Sequence, residues 1–184
     1  MLLKFRIQST PNPRARKYMV SDELKASGKV SYTNLEECSH VPMAQSLLSI
    51  PSVSQIHFFE NVVTVTQNGS TDWQEIDHAV QNAINSKMKD HDIYFSDVNP
   101  SLKKPTKKLP PDLAEIDMIL ENSIRSGLQA DGGDIEVIDY HDNILSVKYL
   151  GACGSCPSAM TGTLNAIRQI LQEKFNKDLE VVVL

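Results

Sequence analysis

The stretch Gly151-Ala-Cys-Gly-Ser-Cys-Pro157 sets two thiols, Cys153 and Cys156, two residues apart on one short loop, and they are two of only three cysteines in 184 residues. Two thiolates so placed chelate a soft metal or close into a disulfide. They do not by themselves complete the four-thiolate shell of an iron–sulfur cluster or a structural zinc. The chain has no second CxxC and no Cys or His partner at finger-like spacing. A metal centre here therefore needs half its donors from elsewhere, and the simplest source is a second copy of the chain.

The elements around the loop read clearly. Ile144-Leu-Ser-Val-Lys-Tyr-Leu150 alternates as a strand, and its hairpin partner is Ile135-Glu-Val-Ile-Asp-Tyr140, joined through His141-Asp-Asn143, two of whose residues tolerate left-handed backbone. After the loop, Pro157 suits the first position of a helix whose apolar side is Leu164, Ile167, Ile170, Leu171 and Phe175. Cys156 then falls at or near that helix's N-cap, where free amides stabilise a thiolate below the free-cysteine value of about 8.5. Glycines 151 and 154 let backbone amides approach sulfur. Leu179 to Leu184 is the closing strand. Upstream, Asp112 with Glu115 forms a capping-box signal, and Leu113, Ile116, Ile119, Leu120, Ile124 and Leu128 make the stripe of a helix that Asp131-Gly-Gly133 ends. The order is α-β-β-CxxC-α-β over residues 112–184.

Residues 1–99 read as a separate α/β domain. Leu3 to Ile7 and Lys17 to Val20 are strands, Met43 to about Ile50 is a helix, and Val53 to Phe59 with Asn61 to Thr66 is a hairpin. Asp72 and Glu75 open a second helix carrying Trp73, Ile76, Val80, Ala83 and Ile84. Between the domains, residues 100–111 hold prolines 100, 105, 110 and 111 and lysines 103, 104, 107 and 108, the composition of a flexible linker. The expected fold class is α/β (α+β): two small domains, each a sheet packed with two helices.

Bulk properties exclude several classes. The net charge is −5, and residues 112–184 carry twelve acids against five bases, a poor surface for nucleic acid. The lysine run is a solvated linker rather than a binding patch. No apolar run spans a bilayer. The start alternates like a strand and lacks signal-peptide or transit-peptide character, and the cysteine count does not suit a secreted disulfide scaffold. The expected compartment is the cytoplasm, or the mitochondrial matrix where a presequence has been removed. Cys38 and His40 form a conceivable metal pair, but flanking acids and the lack of companions make Cys38 an incidental thiol. Asp131-Gly-Gly-Asp134 is too poor in acids for a calcium loop.

Three chemistries compete for the CxxC on residues alone: cluster ligation shared by two chains, dithiol–disulfide exchange, and two small buried thiols with no chemistry. Against exchange, a β-hairpin precedes the motif, Ala152 stands where an aromatic often does, and Pro157 follows the pair instead of separating it.

At Asp131-Gly-Gly-Asp-Ile-Glu136 and Leu150-Gly-Ala-Cys-Gly-Ser-Cys-Pro-Ser158, with Thr161 and Leu164, the second domain resembles the C-terminal domain of NifU, the Nfu-type iron–sulfur scaffold family. The first resembles the N-terminal domain of a subset of Nfu proteins, through Thr10-Pro-Asn-Pro13, Lys17-Tyr18, Pro42-Met-Ala44, Leu47, Ile50, Val53, Val63-Thr-Val-Thr66 and Trp73. Where the family usually has Ser-Ser after the Pro, this chain has Ser158-Ala159. The resemblance implies an iron–sulfur cluster assembly protein, a carrier and not an enzyme in the turnover sense. It implies a [4Fe–4S] cluster on Cys153 and Cys156, shared across a homodimer, received from upstream cluster-assembly proteins and passed to apo-protein clients. No nucleic acid and no membrane are implied as partners.

Overall fold

The computed structural model describes residues 3–97, 99–100, 110–155 and 162–184, and the chain separates into two compact units, residues 1–105 and 106–184. Most of the linker, residues 101–109, lies outside the described residues.

In the first unit, five strands form one antiparallel sheet: β1 (Phe5–Ser9), β2 (Ala15–Val20), β3 (Lys29–Tyr32), β4 (Val53–Phe59) and β5 (Val62–Gln67), in spatial order β1-β2-β5-β4-β3. Strand alternation sends Tyr18, Val30, Tyr32, Ile56, Phe58, Val63 and Val65 to one face, where they bury against α1 (Pro42–Leu48) and α2 (Trp73–Lys87) through Met43, Ala44, Leu47, Ile76, Val80 and Ile84. The edge strand β3 was not anticipated. It is only four residues long and follows Gly28, whose φ of +72° turns the chain into it. Asp72 does stand at the N-cap of α2, but its side chain makes no capping hydrogen bond, so the expected capping box is not formed.

In the second unit, α3 (Pro111–Leu120) runs through a π-turn (Glu121–Arg125) into α4 (Ser126–Ala130). Pro111 sits at the start of α3, so the helix begins inside the expected linker; Pro110 is the N-cap and Asp112 lies within the first turn. The missing proline N–H is no loss there, which is why the start moves ahead of Asp112. The helix ends as expected at Gly132, with φ of +79° and its N–H donating to the Gln129 carbonyl at 2.9 Å. Strands β6 (Gly133–His141) and β7 (Ile144–Gly151) form a hairpin whose turn residues Asp142 and Asn143 both have positive φ, 49° and 65°. Helix α5 (Leu164–Lys174) then leads to β8 (Glu180–Val183), which lies parallel to β7 in a sheet of order β6-β7-β8. The β7–α5–β8 path is thus a crossover connection of the kind parallel strands require. Leu113, Ile116, Leu120 and Leu128 from the first helix, Ile167 and Leu171 from α5, and Ile135, Val137, Leu145, Val147 and Val181 from the sheet make the core.

Candidate functional site

Strand β7 ends at Gly151, whose φ of +58° few side chains tolerate, and the chain enters a short 3₁₀ turn, Ala152–Ser155, that carries Cys153. The turn is tied back to the start of β6: the Ala152 N–H donates to the Gly132 carbonyl at 3.0 Å, and Gly133 pairs with Gly151 across the hairpin. Cys153 does not project into solvent. It is 6% exposed and belongs to the apolar core of the unit.

Gly133 makes that burial possible. A β-carbon at position 133 would stand 2.8 Å from the Cys153 backbone nitrogen and 3.0 Å from its Cβ, and would collide with Sγ. The two adjacent glycines therefore have different jobs: Gly132 supplies the left-handed helix end, and Gly133 supplies room for the thiol. Tyr149, buried on β7, lies near enough to Cys153 to feel its charge. Burial first, and that charge second, push its phenol up to about 12.

Cys156, Pro157, Ser158 and Ala159 lie outside the described residues, and with them the expected helix start. The chain enters α5 already helical at Thr163, with φ −65° and ψ −39°.

The feature that sequence reasoning missed is ionic. Arg125 is 4% exposed and Asp134 is fully buried. Arg125 Nε donates to Asp134 Oδ1 at 3.1 Å, and its terminal nitrogens donate to Asp117 Oδ1 and Glu121 Oε2 at 2.6 Å each and to the Ile135 carbonyl at 3.1 Å. Asp134 also accepts from the Ile135 N–H at 2.7 Å and from Gln129 Nε2 at 3.0 Å. Burial works against the charge on Arg125, but hydrogen bonds and charge from Asp117, Glu121 and Asp134 outweigh it and hold its pKa above the ordinary value. Helical spacing gave no signal for it, because Arg125 falls beside the stripe and only the π-turn carries it inward.

Cys38 is a core thiol of the first unit, donating weakly to the Asn34 and Leu35 carbonyls, and burial pushes it up to about 11. His40 turns to the Ser96 carbonyl at 2.7 Å. Among the described residues no three His, Cys, Asp or Glu side chains gather to hold a metal ion.

Comparison with known proteins fits this division. The NifU-like domain family matches residues 116–182, and the family described as scaffold protein Nfu/NifU N terminal matches residues 5–91. The chain belongs to the Nfu-type, NifU-like family. NifU-like protein 4, mitochondrial, of Arabidopsis thaliana is 29% identical over 169 residues, covering 89% of this chain and 60% of that protein. The human NFU1 iron-sulfur cluster scaffold homolog, mitochondrial, is 26% identical over 166 residues, covering 90% of this chain and 65% of the relative. The chain thus spans somewhat under two thirds of the length of these two Nfu-type relatives. A solution structure of a NifU-like protein from Saccharomyces cerevisiae is similar over 48% of this chain and 80% of its own, at 21% identity and a TM-score of 0.43. Two sheets, each packed with helices, agree with the α/β (α+β) expectation. No described helix is long and apolar enough to cross a membrane.

Proposed function

We propose that this protein carries iron–sulfur clusters: it receives a [4Fe–4S] cluster as cargo on Cys153 and Cys156, shares it with the same pair on a second copy, and hands it to apo-protein clients. The observation that supports this reading is the NifU-like family match over residues 116–182, the stretch that contains both thiols of the CxxC. The relatives' names, an iron–sulfur scaffold among them, point the same way.

The chemistry of the described residues is compatible with a carrier. Cys153 lies in the core beside Gly133 and Tyr149, where oxidants reach it poorly. Loading requires the turn to bring the thiol outward, and release lets it return. Holding and releasing are then set by one local equilibrium, in which each thiol gives up its proton to solvent on ligating iron and takes one back on release. On this reading the protein turns over no substrate and is not an enzyme. The rival use of a CxxC, thiol–disulfide exchange, draws no support from the buried position of Cys153. The mitochondrial names of the relatives favour the mitochondrial matrix over the cytoplasm as the place of work.

Anaerobic reconstitution with iron and sulfide, read by iron, sulfide and native mass together, tests the proposal. Brown protein with about one four-iron cluster per two chains is expected. Colourless protein that reduces insulin disulfides would establish the rival instead.

A further inference from the structure

Arg125 brings a permanent charge into the second unit's interior at the cost of an irregular helix. The apolar positions Leu113, Ile116 and Leu120 follow the ordinary helical spacing, but the next buried residue is Arg125, five positions on, and the π-turn Glu121–Arg125 is what rotates it inward. A buried ion pair seldom stabilises a fold more than well-packed apolar residues would, which directs attention to the geometry this one holds.

The geometry it fixes is the start of β6. The guanidinium grips the Asp134 carboxylate and the Ile135 carbonyl, the two residues that follow Gly133. The same carboxylate is tied to the Ile135 N–H and to Gln129. On the other side, Gly132 accepts from Ala152, and Gly133 touches Cys153. A short, doubly held segment thus links the arginine to the thiol.

We propose that Arg125 is a positioning residue for the Cys153 turn: through Asp134 and Ile135 it sets the depth of Gly133, and so how readily the thiol leaves the core to take or give up a cluster. The first half stands on the geometry alone; the second rests on the carrier reading. Lysine keeps the charge but not the planar fork that reaches a carboxylate and a carbonyl together. Arg125→Lys should therefore loosen the seat without emptying it of charge.

The test uses the full chain in a Cys38→Ala, Cys156→Ser background, in which Cys153 is the sole thiol. Its alkylation rate is measured well below the unfolding temperature, beside circular dichroism to establish that the variant is folded. Arg125→Lys and Asp134→Asn should each raise the rate about tenfold, as expected for a shifted local opening equilibrium. Glu121→Gln and Asp117→Asn remove the charge of partners that are 59% and 35% exposed; they should fold and raise the rate by a smaller factor, about twofold. If folded variants label at the rate of the background protein, Arg125 only stabilises the unit and the proposal is overturned. If Arg125→Lys and Asp134→Asn fail to fold, the Glu121 and Asp117 variants decide by the same criterion. In the otherwise unaltered chain, reconstituted Arg125→Lys should lose iron to a chelator faster than the parent. A parent that takes up no cluster would sink the carrier reading, while the alkylation rates would still judge the positioning role.

Discussion

Gly133 and Cys153 occupy one space. The α-carbon of the first lies so close to the second that a methyl group at 133 would stand 2.8 Å from the Cys153 nitrogen and would strike its sulfur. Gly133 is not in the left-handed region, so this contact alone accounts for the glycine. Gly133→Ala should push the turn out of the core and destabilise the second unit by about 1–3 kcal/mol, the usual effect of overpacking. Thermal unfolding and Cys153 alkylation should move together; a stable variant with an unreactive thiol would contradict the contact.

Cys153→Ser should cost stability as well as cluster. The side chain is 6% exposed and lies in an apolar cluster, and a hydroxyl is costlier to take out of water than the thiol it replaces, a penalty of about 1–3 kcal/mol. Cys153→Ala should be milder in denaturant unfolding yet equally unable to hold iron. Cys156→Ser should abolish cluster binding too. A Cys153→Ser protein that retains a full cluster would show that the ligands lie elsewhere.

Cys38 should play no part in cargo. Its thiol is enclosed in the first unit and raised to about 11 by burial, so alkylation below that pH should be slow. Cys38→Ala should leave iron and sulfide content unchanged after reconstitution.

Alkaline stability follows from the same burial. Cys38 rises from 9.0 to about 11 and Tyr149 from 10.0 to about 12, so folding favours the protonated form of each. Their contributions are complete below the unfolded values and are lost as pH climbs through the folded ones. Melting temperature should therefore fall from about pH 9 upward. Tyr149→Phe should flatten the part of that fall that lies between pH 10.0 and about 12. A melting temperature level up to pH 12 would refute the assignment.

Residues 110–184 should fold alone and still take up a cluster, since the second unit has its own core and sheet. If residues 1–99 recognise clients, transfer from the fragment should slow for some apo-proteins and not for others. Equal rates for every client would leave the first unit without that role.

The elements were readable wherever periodicity was strong. The β6–β7 hairpin, its Asp142-Asn143 turn and the glycine helix end follow from alternation and turn chemistry. Strand β3 was missed because four residues give too little alternation to count. The burial of Cys153 was hidden because cysteine reads equally well as ligand or core, and what decides is Gly133, twenty residues away. Arg125 was hidden because a π-turn breaks the 3.6-residue count on which a helix stripe is read. Capping boxes were over-read: Asp72 and Asp112 have the right spacing, but neither side chain caps its helix.

The parallel pairing of β7 with β8 governs the order in which the second unit assembles. Ile144 meets Glu180 and Val147 meets Val183 only after the whole crossover has formed, whereas β6 and β7 zip from a tight turn. Contacts of such high contact order form late in folding, because chain closure must precede their reward. The seat of Cys153 belongs instead to the hairpin, where Gly133 pairs with Gly151 and the Ala152 N–H donates to the Gly132 carbonyl, while β8 pairs with residues 144–147 at the other end of β7. The backbone seat of the thiol should thus be laid down with the hairpin, before the parallel strand docks.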